Sequence, residues 1–147
     1  MKTNYTYRMY GRSKGRGKNN AITNDAISIK VKKIDALKHN IIDIGPGYGE
    51  STLAISKTDS SKQIIACEKF IDGINKIAEK NFLHSLTNIS IFHGNVHQFL
   101  DEYCPYNSIS EIWILFPDPW PKKRHFKRRL INVNFFNKIS HFLKKDA

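Results

Sequence analysis

Ile41-Ile42-Asp43-Ile44-Gly45-Pro46-Gly47-Tyr48-Gly49-Glu50 is the stretch on which the fold turns. Its first four residues include three β-branched isoleucines, the composition of a buried strand. Three glycines then alternate with other residues over five positions. Glycine adopts backbone conformations closed to other residues and lets a ligand approach the chain. The segment therefore reads as a strand entering a glycine turn, with a helix predicted over Glu50 to Lys57. The spacing is GxGxG, not the dinucleotide fingerprint GxGxxG, so there is less sign of a pyrophosphate cradle.

The same rhythm recurs downstream. Ile64-Ile65-Ala66-Cys67 predicts a second strand ending at Glu68, and Ile71, Ile74, Ile77 and Ala78 mark a helix. Ile89-Ser90-Ile91-Phe92 predicts a third strand, followed by Gly94-Asn95. Val96, Phe99, Leu100 and Tyr103 suggest the next helix. Ile112 to Phe116 is the predicted fourth strand. The last helix is expected from Leu130 to Leu143, with Phe135, Phe136, Ile139, Phe142 and Leu143 on one face. Upstream, Ile27, Val31 and Ile34 sit at helical spacing. Residues 1–20 are basic, rich in Gly and Asn and without periodicity, and read as a flexible arm; residues 21–147 read as the folded domain. Alternating strands and helices imply an α/β protein with a parallel sheet covered on both faces. Ligands of such sheets bind beyond the carboxyl ends of the strands. Gly45 to Gly49, Glu68, Asn95 and Asp118 all fall at those ends.

Composition narrows the class. A chain of 147 residues with 40% hydrophobic content is long and apolar enough for one folded domain rather than a disordered one. Its apolar runs are too short to span a bilayer, and the residues after Met1 are polar and basic rather than a signal-peptide core. A cytoplasmic protein with no membrane partner is expected. Two cysteines, Cys67 and Cys104, make neither a disulfide framework nor a zinc site and are read as free thiols. The net charge of +11 is unevenly placed. Lys2, Arg8, Arg12, Lys14, Arg16 and Lys18 precede the first acid, Asp25, and Lys122, Lys123, Arg124, Lys127, Arg128 and Arg129 form a second block. Two such clusters flanking a balanced middle look like a polyanion footprint, and contact with RNA or DNA is expected.

The polar residues at the strand ends suggest a cofactor. A carboxylate at Glu68, closing the second strand, can accept hydrogen bonds from a ribose diol. Asp43 can reach the ammonium of an amino-acid moiety or orient the glycine loop. Ribose at one site and a cationic amino acid near the other describe S-adenosylmethionine better than NAD. The amide oxygen of Asn95 can accept from an adenine amino group. His93 and His97 are four residues apart, but Gly94 breaks that helix and no further ligand is evident, so no metal is expected.

Phe116-Pro117-Asp118-Pro119-Trp120-Pro121-Lys122-Lys123-Arg124-His125 carries the reaction chemistry. Two prolines stiffen the backbone around Asp118, which suits catalysis by positioning. Trp120 either stacks on a base or packs in the core. Lys122 is near enough in sequence to reach a bound nucleotide, and Arg124, Lys127, Arg128 and Arg129 can hold phosphates.

The segments IIDIGPGYGE, ACEKF, ISIFHGNVHQFL and FPDPWPKKRHFKRR, in this order and spacing, resemble the tRNA (guanine-N7-)-methyltransferase family of the bacterial TrmB type. The YGRSKGR stretch is similar to the arginine-rich arm that precedes the domain there. The resemblance runs from about Tyr10 to Leu143. It implies a Rossmann-like class I methyltransferase fold, S-adenosylmethionine as cofactor, tRNA as partner and methylation of N7 of the variable-loop guanine 46. Carried over residue by residue, it implies cofactor contacts at Asp43, Glu68, Asn95 and Asp118, in addition to the glycine loop Gly45, Gly47 and Gly49. Asp118 also matches the proposed catalytic acid. Lys122 matches a substrate contact, and the RNA-interacting segment covers Arg124, His125, Lys127, Arg128 and Arg129. Asn95 stands where that family usually has Asp. The family also continues into a later strand with a Thr-Asp pair and a Thr-x-x-Glu segment that have no counterpart before Ala147. The chain as far as Ala147 is therefore expected to hold the N-terminal portion of the domain, to lack the C-terminal strands, to turn over little and to self-associate through an exposed sheet edge. Two other readings compete: a methyltransferase acting on an exocyclic base amine, and a non-catalytic RNA-binding fragment.

Overall fold

A computed structural model describes residues 33–147. The basic arm, and residues 27–32 of the predicted first helix, lie outside the described residues. Ile34, the last residue of that pattern, is in an irregular segment; it is buried, and its N–H donates to the Tyr103 carbonyl at 3.0 Å.

Four strands and four α-helices follow in alternation: β1 (Asn40–Ile44), α1 (Glu50–Thr58), β2 (Gln63–Glu68), α2 (Ile71–Leu83), β3 (Ile89–His93), α3 (Val96–Tyr103), β4 (Glu111–Trp113) and α4 (Val133–Ser140). A 3-10 helix, Lys123–Arg128, stands between β4 and α4. All pairings are parallel and the strand order is β3-β2-β1-β4. Successive residues of a strand face opposite sides of the sheet, and the core divides accordingly. Ile41, Ile64, Ala66, Ile89 and Ile91 pack with Ile55 of α1 and Ile74, Ile77 and Ala78 of α2. Ile42, Ile44, Ile65, Cys67 and Phe92 face the other way, onto Phe99 and Leu100 of α3 and Phe135 and Ile139 of α4. The strands are thus covered on both faces, and this is why they read as continuous apolar runs. The expected α/β architecture is the observed one: a Rossmann-like parallel sheet with helices on both faces.

Two elements differ from expectation. β4 stops at Trp113, not Phe116, one residue short of the end of its partner. Its register ends at Asp43↔Trp113, and β1 has one further residue before the turn at Gly45. The chain then leaves the sheet, and Phe116 adopts a left-handed φ of 50°. The last helix starts at Val133 rather than Leu130, since Asn132 caps it, its side chain accepting from the Phe135 N–H. Beyond Ser140 the chain turns back. Leu143 bridges Ile109, and the Lys144 N–H donates to the Ile109 carbonyl at 2.8 Å. Phe135, Ile139 and Phe142 are buried as predicted, whereas Phe136 is exposed.

The order β3-β2-β1-β4 also locates the site. From β1 the chain winds outward through β2 to β3, then crosses back to place β4 on the far side of β1. Such a reversal opens a crevice beyond the carboxyl ends of β1 and β4.

Candidate active site

The glycine turn joins β1 to α1. Gly45, Gly47 and Gly49 have φ of 69, 59 and 79°, all in the left-handed region that residues with a Cβ avoid. At Gly45 and Gly47 the space a Cβ would fill is open, whereas at Gly49 it would fall 2.4 Å from Cγ1 of Ile77. The first two glycines thus leave room at the turn, and the third lets α1 pack against α2.

Asp43 points to the same face as Ile41 and meets the first turn of α1. Its Oδ2 accepts from Ser51 Oγ at 2.6 Å and Thr52 Oγ1 at 2.8 Å. Gly49 supplies no capping side chain, so this buried carboxylate adds to Glu50 as an acid at the helix N-terminus. Its Oδ1 is buried without a hydrogen-bond partner. Burial raises the Asp43 pKa, the two hydroxyls lower it, and the charge of Glu68 raises it again. Asp43 thus holds the first turn of α1, the helix into which the glycine turn feeds.

Glu68 closes β2 with its side chain 7% exposed. One carboxylate oxygen accepts from the N–H groups of Lys69 and Phe70 at 2.7 and 2.8 Å. The other accepts from the Gly47 N–H at 2.9 Å. The residue thus ties the glycine turn to the start of α2. A carboxylate has about four acceptor sites, so a ribose diol would share this one with the backbone. Asn95 likewise has a structural duty. Its side-chain oxygen caps α3, accepting from the His97 N–H at 2.8 Å.

Asp118 is exposed at the tip of the loop that leaves β4. Lys69 senses it: burial depresses the Lys69 pKa, and the Asp118 and Glu68 charges oppose that shift. Trp120 is half-buried within the basic turn. Arg128 lies over its ring at 4.9 Å from the centroid, and His125 meets it edge-on at 5.6 Å. One indole face is therefore already covered. Arg124 Nε donates to His125 Nε2 at 3.3 Å.

One cavity of about 660 Å³ unites these features. Gly45, Glu68, Lys69, Phe70 and Asn95 line one half of it. Phe116, Asp118, Trp120, Lys127, Arg128 and Arg129 line the other. Asp43, Gly47 and Gly49 do not line it, nor do Lys122, Arg124 and His125. His93 and His97 do not converge: Nε2 of His93 pairs with the Lys69 carbonyl, while His97 packs edge-on against Phe135. Among the described residues no group of three His, Cys, Asp or Glu side chains could hold a metal. Cys67 is buried and Cys104 half-buried, both free; burial raises both thiol pKa values, that of Cys104 to about 12.

Several contributors escaped the sequence reading. Ser51 and Thr52 carried a usable signal, since two hydroxyls in the first turn after a glycine loop invite a buried acceptor. Gly73 carried another, as a glycine inside a helical pattern. A Cβ there would fall 2.3 Å from the Gly47 carbonyl oxygen, so α2 and the glycine turn meet backbone to backbone. Lys69 and Asn132 gave no such sign.

A doubly covered parallel sheet with a glycine turn after β1, an acid closing β2 and a cavity across the reversal of strand order define a class I methyltransferase fold. Residues 38–147 match the family model described as "Putative methyltransferase", and the chain belongs to that family. It is 34% identical over 139 residues to a tRNA (guanine-N(7)-)-methyltransferase of Neorickettsia sennetsu, covering 92% of this chain and 64% of that protein. It is 38% identical over 104 residues to the enzyme of the same name from Nitrosomonas eutropha, covering 71% and 46% respectively. Among solved structures, a SAM dependent methyltransferase from Aquifex aeolicus superposes with a TM-score of 0.54 at 17% identity, over 79% of this chain and 54% of that one. The chain thus spans between about a third and two thirds of the length of the curated relatives it matches.

Proposed function

We propose that the protein binds S-adenosylmethionine in the cavity at the strand ends and transfers its methyl group to N7 of a guanine in tRNA, the variable-loop guanine 46. The observation that carries the reading is the meeting of Glu68, Asn95, Asp118 and the basic turn on one cavity. The relatives named above support the choice of tRNA and of N7. The site suits the cofactor. Open space at Gly45, which lines the cavity, admits a ligand close to the backbone. Glu68 offers a buried charged acceptor for a ribose hydroxyl, Asn95 an amide beside the adenine end, and Asp43 a buried acid behind the glycine turn.

When bound, S-adenosylmethionine supplies a methyl group already activated on a sulfonium sulfur. Guanine N7 carries an in-plane lone pair, so no base has to remove a proton before attack. The protein's task is alignment. Glu68 and the glycine turn fix one reactant from the β1–β2 side, and the loop after β4 presents Asp118 from the other. Positive charge grows on the purine as N7 is alkylated, and a fixed carboxylate at Asp118 favours it. Lys127 faces the same cavity and Lys122 and Arg124 its surroundings, where cations reach phosphates without reading sequence. The work is assigned to the cytoplasm; among the described residues no helix is long and apolar enough to cross a membrane.

Methyl-labelled S-adenosylmethionine and an unmodified tRNA transcript test the reading. Label recovered in cationic N7-methylguanosine, and lost with Asp118→Asn, is the expected result. Label in a neutral N-methylated base would move the chain to the exocyclic-amine class. RNA binding without cofactor binding, measured by calorimetry, would make it an RNA-binding module.

A further inference from the structure

The loop that presents Asp118 is strained at both ends. Phe116 and Trp120, neither of them glycine, hold φ of 50 and 39°. Such backbone persists only where the surroundings fix it, and Phe116 is 98% exposed, so its own side chain contributes little. At the Trp120 end the fixing comes from Arg129. Its Nε donates to the Pro119 carbonyl at 3.0 Å and its Nη2 to the Trp120 carbonyl at 3.2 Å. A planar guanidinium holds two donors at a set spacing, and here that spacing spans two consecutive carbonyls directly after Asp118. The guanidinium carbon lies 3.8 Å from the centroid of the Phe126 ring, which backs the fork.

Arg129 is itself anchored. Asn132 Nδ2 donates to the Arg129 and Leu130 carbonyls at 3.0 and 3.1 Å, and Asn132 Oδ1 accepts from the Phe135 N–H as the cap of α4. Phe135 is fully buried. A continuous line of contacts therefore runs from the core through the cap of α4 and Arg129 to the peptide units beside Asp118.

We propose that Arg129 is a positioning residue, a brace that holds the strained Asp118 loop in its working shape, and not one of the phosphate contacts of the basic block. Two of its donors and its π-face are committed within the protein. Lys127, in the same block, is exposed and reaches into the cavity. The proposal rests on the reading of Asp118 as a group that acts on the reacting base.

The test has two arms. In a Trp113→Phe background, Trp120 is the only indole and reports the loop directly. Acrylamide quenching of its emission should rise in Arg129→Gln toward the value of the unfolded chain. Arg129→Lys, with one donor group in place of the fork, should fall between. Should Arg129→Gln not fold, Arg129→Lys carries this arm alone. In methyl transfer to tRNA, Arg129→Gln should lower kcat and leave the KM for tRNA near that of the parent. Quenching equal to the parent in both variants would overturn the brace, as would unchanged kcat with a raised KM, the signature of a lost phosphate contact. A parent that transfers no methyl would count against the functional reading alone, and the quenching would still decide the brace.

Discussion

Glu68→Gln separates two duties that one carboxylate now performs. In the parent, one oxygen accepts from the Lys69 and Phe70 N–H groups and the other from Gly47. Glutamine keeps the shape. Its amide oxygen can still serve Lys69 and Phe70, but its NH2 group then meets the Gly47 N–H donor to donor. The tether between the glycine turn and α2 is lost while the start of α2 stays satisfied. Losing one charge-assisted hydrogen bond costs about 1.5–3 kcal/mol. That is a large share of the roughly 5–15 kcal/mol that holds a domain together. Glu68→Ala removes all three bonds. Lys69 and Phe70 are half-exposed, so water repairs part of the loss, and a cost of roughly 3–5 kcal/mol is expected. Urea unfolding followed by circular dichroism should show the midpoint falling by on the order of 1 M for Glu68→Gln and further for Glu68→Ala. Calorimetry should show S-adenosylmethionine binding at least about tenfold weaker in both, a loss of about 1.4 kcal/mol or more. A Glu68→Gln protein with the parent's midpoint would refute the tether, and one with the parent's cofactor affinity would remove Glu68 from the cofactor site.

Other perturbations follow from the same geometry. Gly73→Ala drives a methyl group into the Gly47 carbonyl and should cost about 1–3 kcal/mol by overpacking, read as a lower urea midpoint; an unchanged midpoint would show that α2 can shift freely. His97 is held below its ordinary value of 6.5, first by burial and then by the Lys138 charge. The native state therefore favours the neutral ring: its stabilisation is full above pH 6.5 and is lost as pH falls through the lower native value. Stability measured between pH 7.5 and 5 should fall more steeply in the parent than in His97→Gln, and parallel curves would contradict this. Lys127→Gln should reduce the slope of log K against log salt for tRNA binding by about 0.7–0.9, and a titration with the parent's slope would exclude a phosphate contact there. Among the described residues the outer edge of β4 carries no strand, and Trp113, Leu115 and Phe116 beside it are exposed. Such edges recruit other chains, so light scattering should show mass rising with concentration, less so for Trp113→Lys; a constant monomer mass would rule this out.

The strands and the glycine turn were legible because each obeys a local rule. Isoleucine runs such as Ile41–Ile44 announce strands covered on both faces, and Gly45, Gly47 and Gly49 announce left-handed backbone. Glu68 could be placed at a strand end from the apolar run before it. What such rules cannot carry is partnership. That Glu68 accepts from Gly47, 21 residues earlier, depends on the parallel register of β1 and β2. The end of β4 is illegible for a related reason. Ile114, Leu115 and Phe116 have strand character, but a strand persists only where a neighbour bonds it, and β1 ends at Ile44, so Leu115 and Phe116 have no strand residue opposite them. Arg129 looked like its basic neighbours because charge is visible in a sequence and hydrogen-bond commitments are not. Asn132 was passed over as part of a helix it in fact begins.

The pairing of β1 with β4 has a mechanical meaning. Five residue pairs join β1 to β2 and five join β2 to β3, but three join β1 to β4. The cavity straddles that short seam, with Glu68 on its firm side and Asp118 on its yielding side. Sub-global opening follows the weakest cooperative boundary, so the molecule should loosen first between Asp43 and Trp113. The Glu68 half of the cavity would then keep its shape while the Asp118 half detaches and returns. Amide exchange would register this as early labelling of Glu111–Trp113, with Ile64–Cys67 protected until the whole domain unfolds.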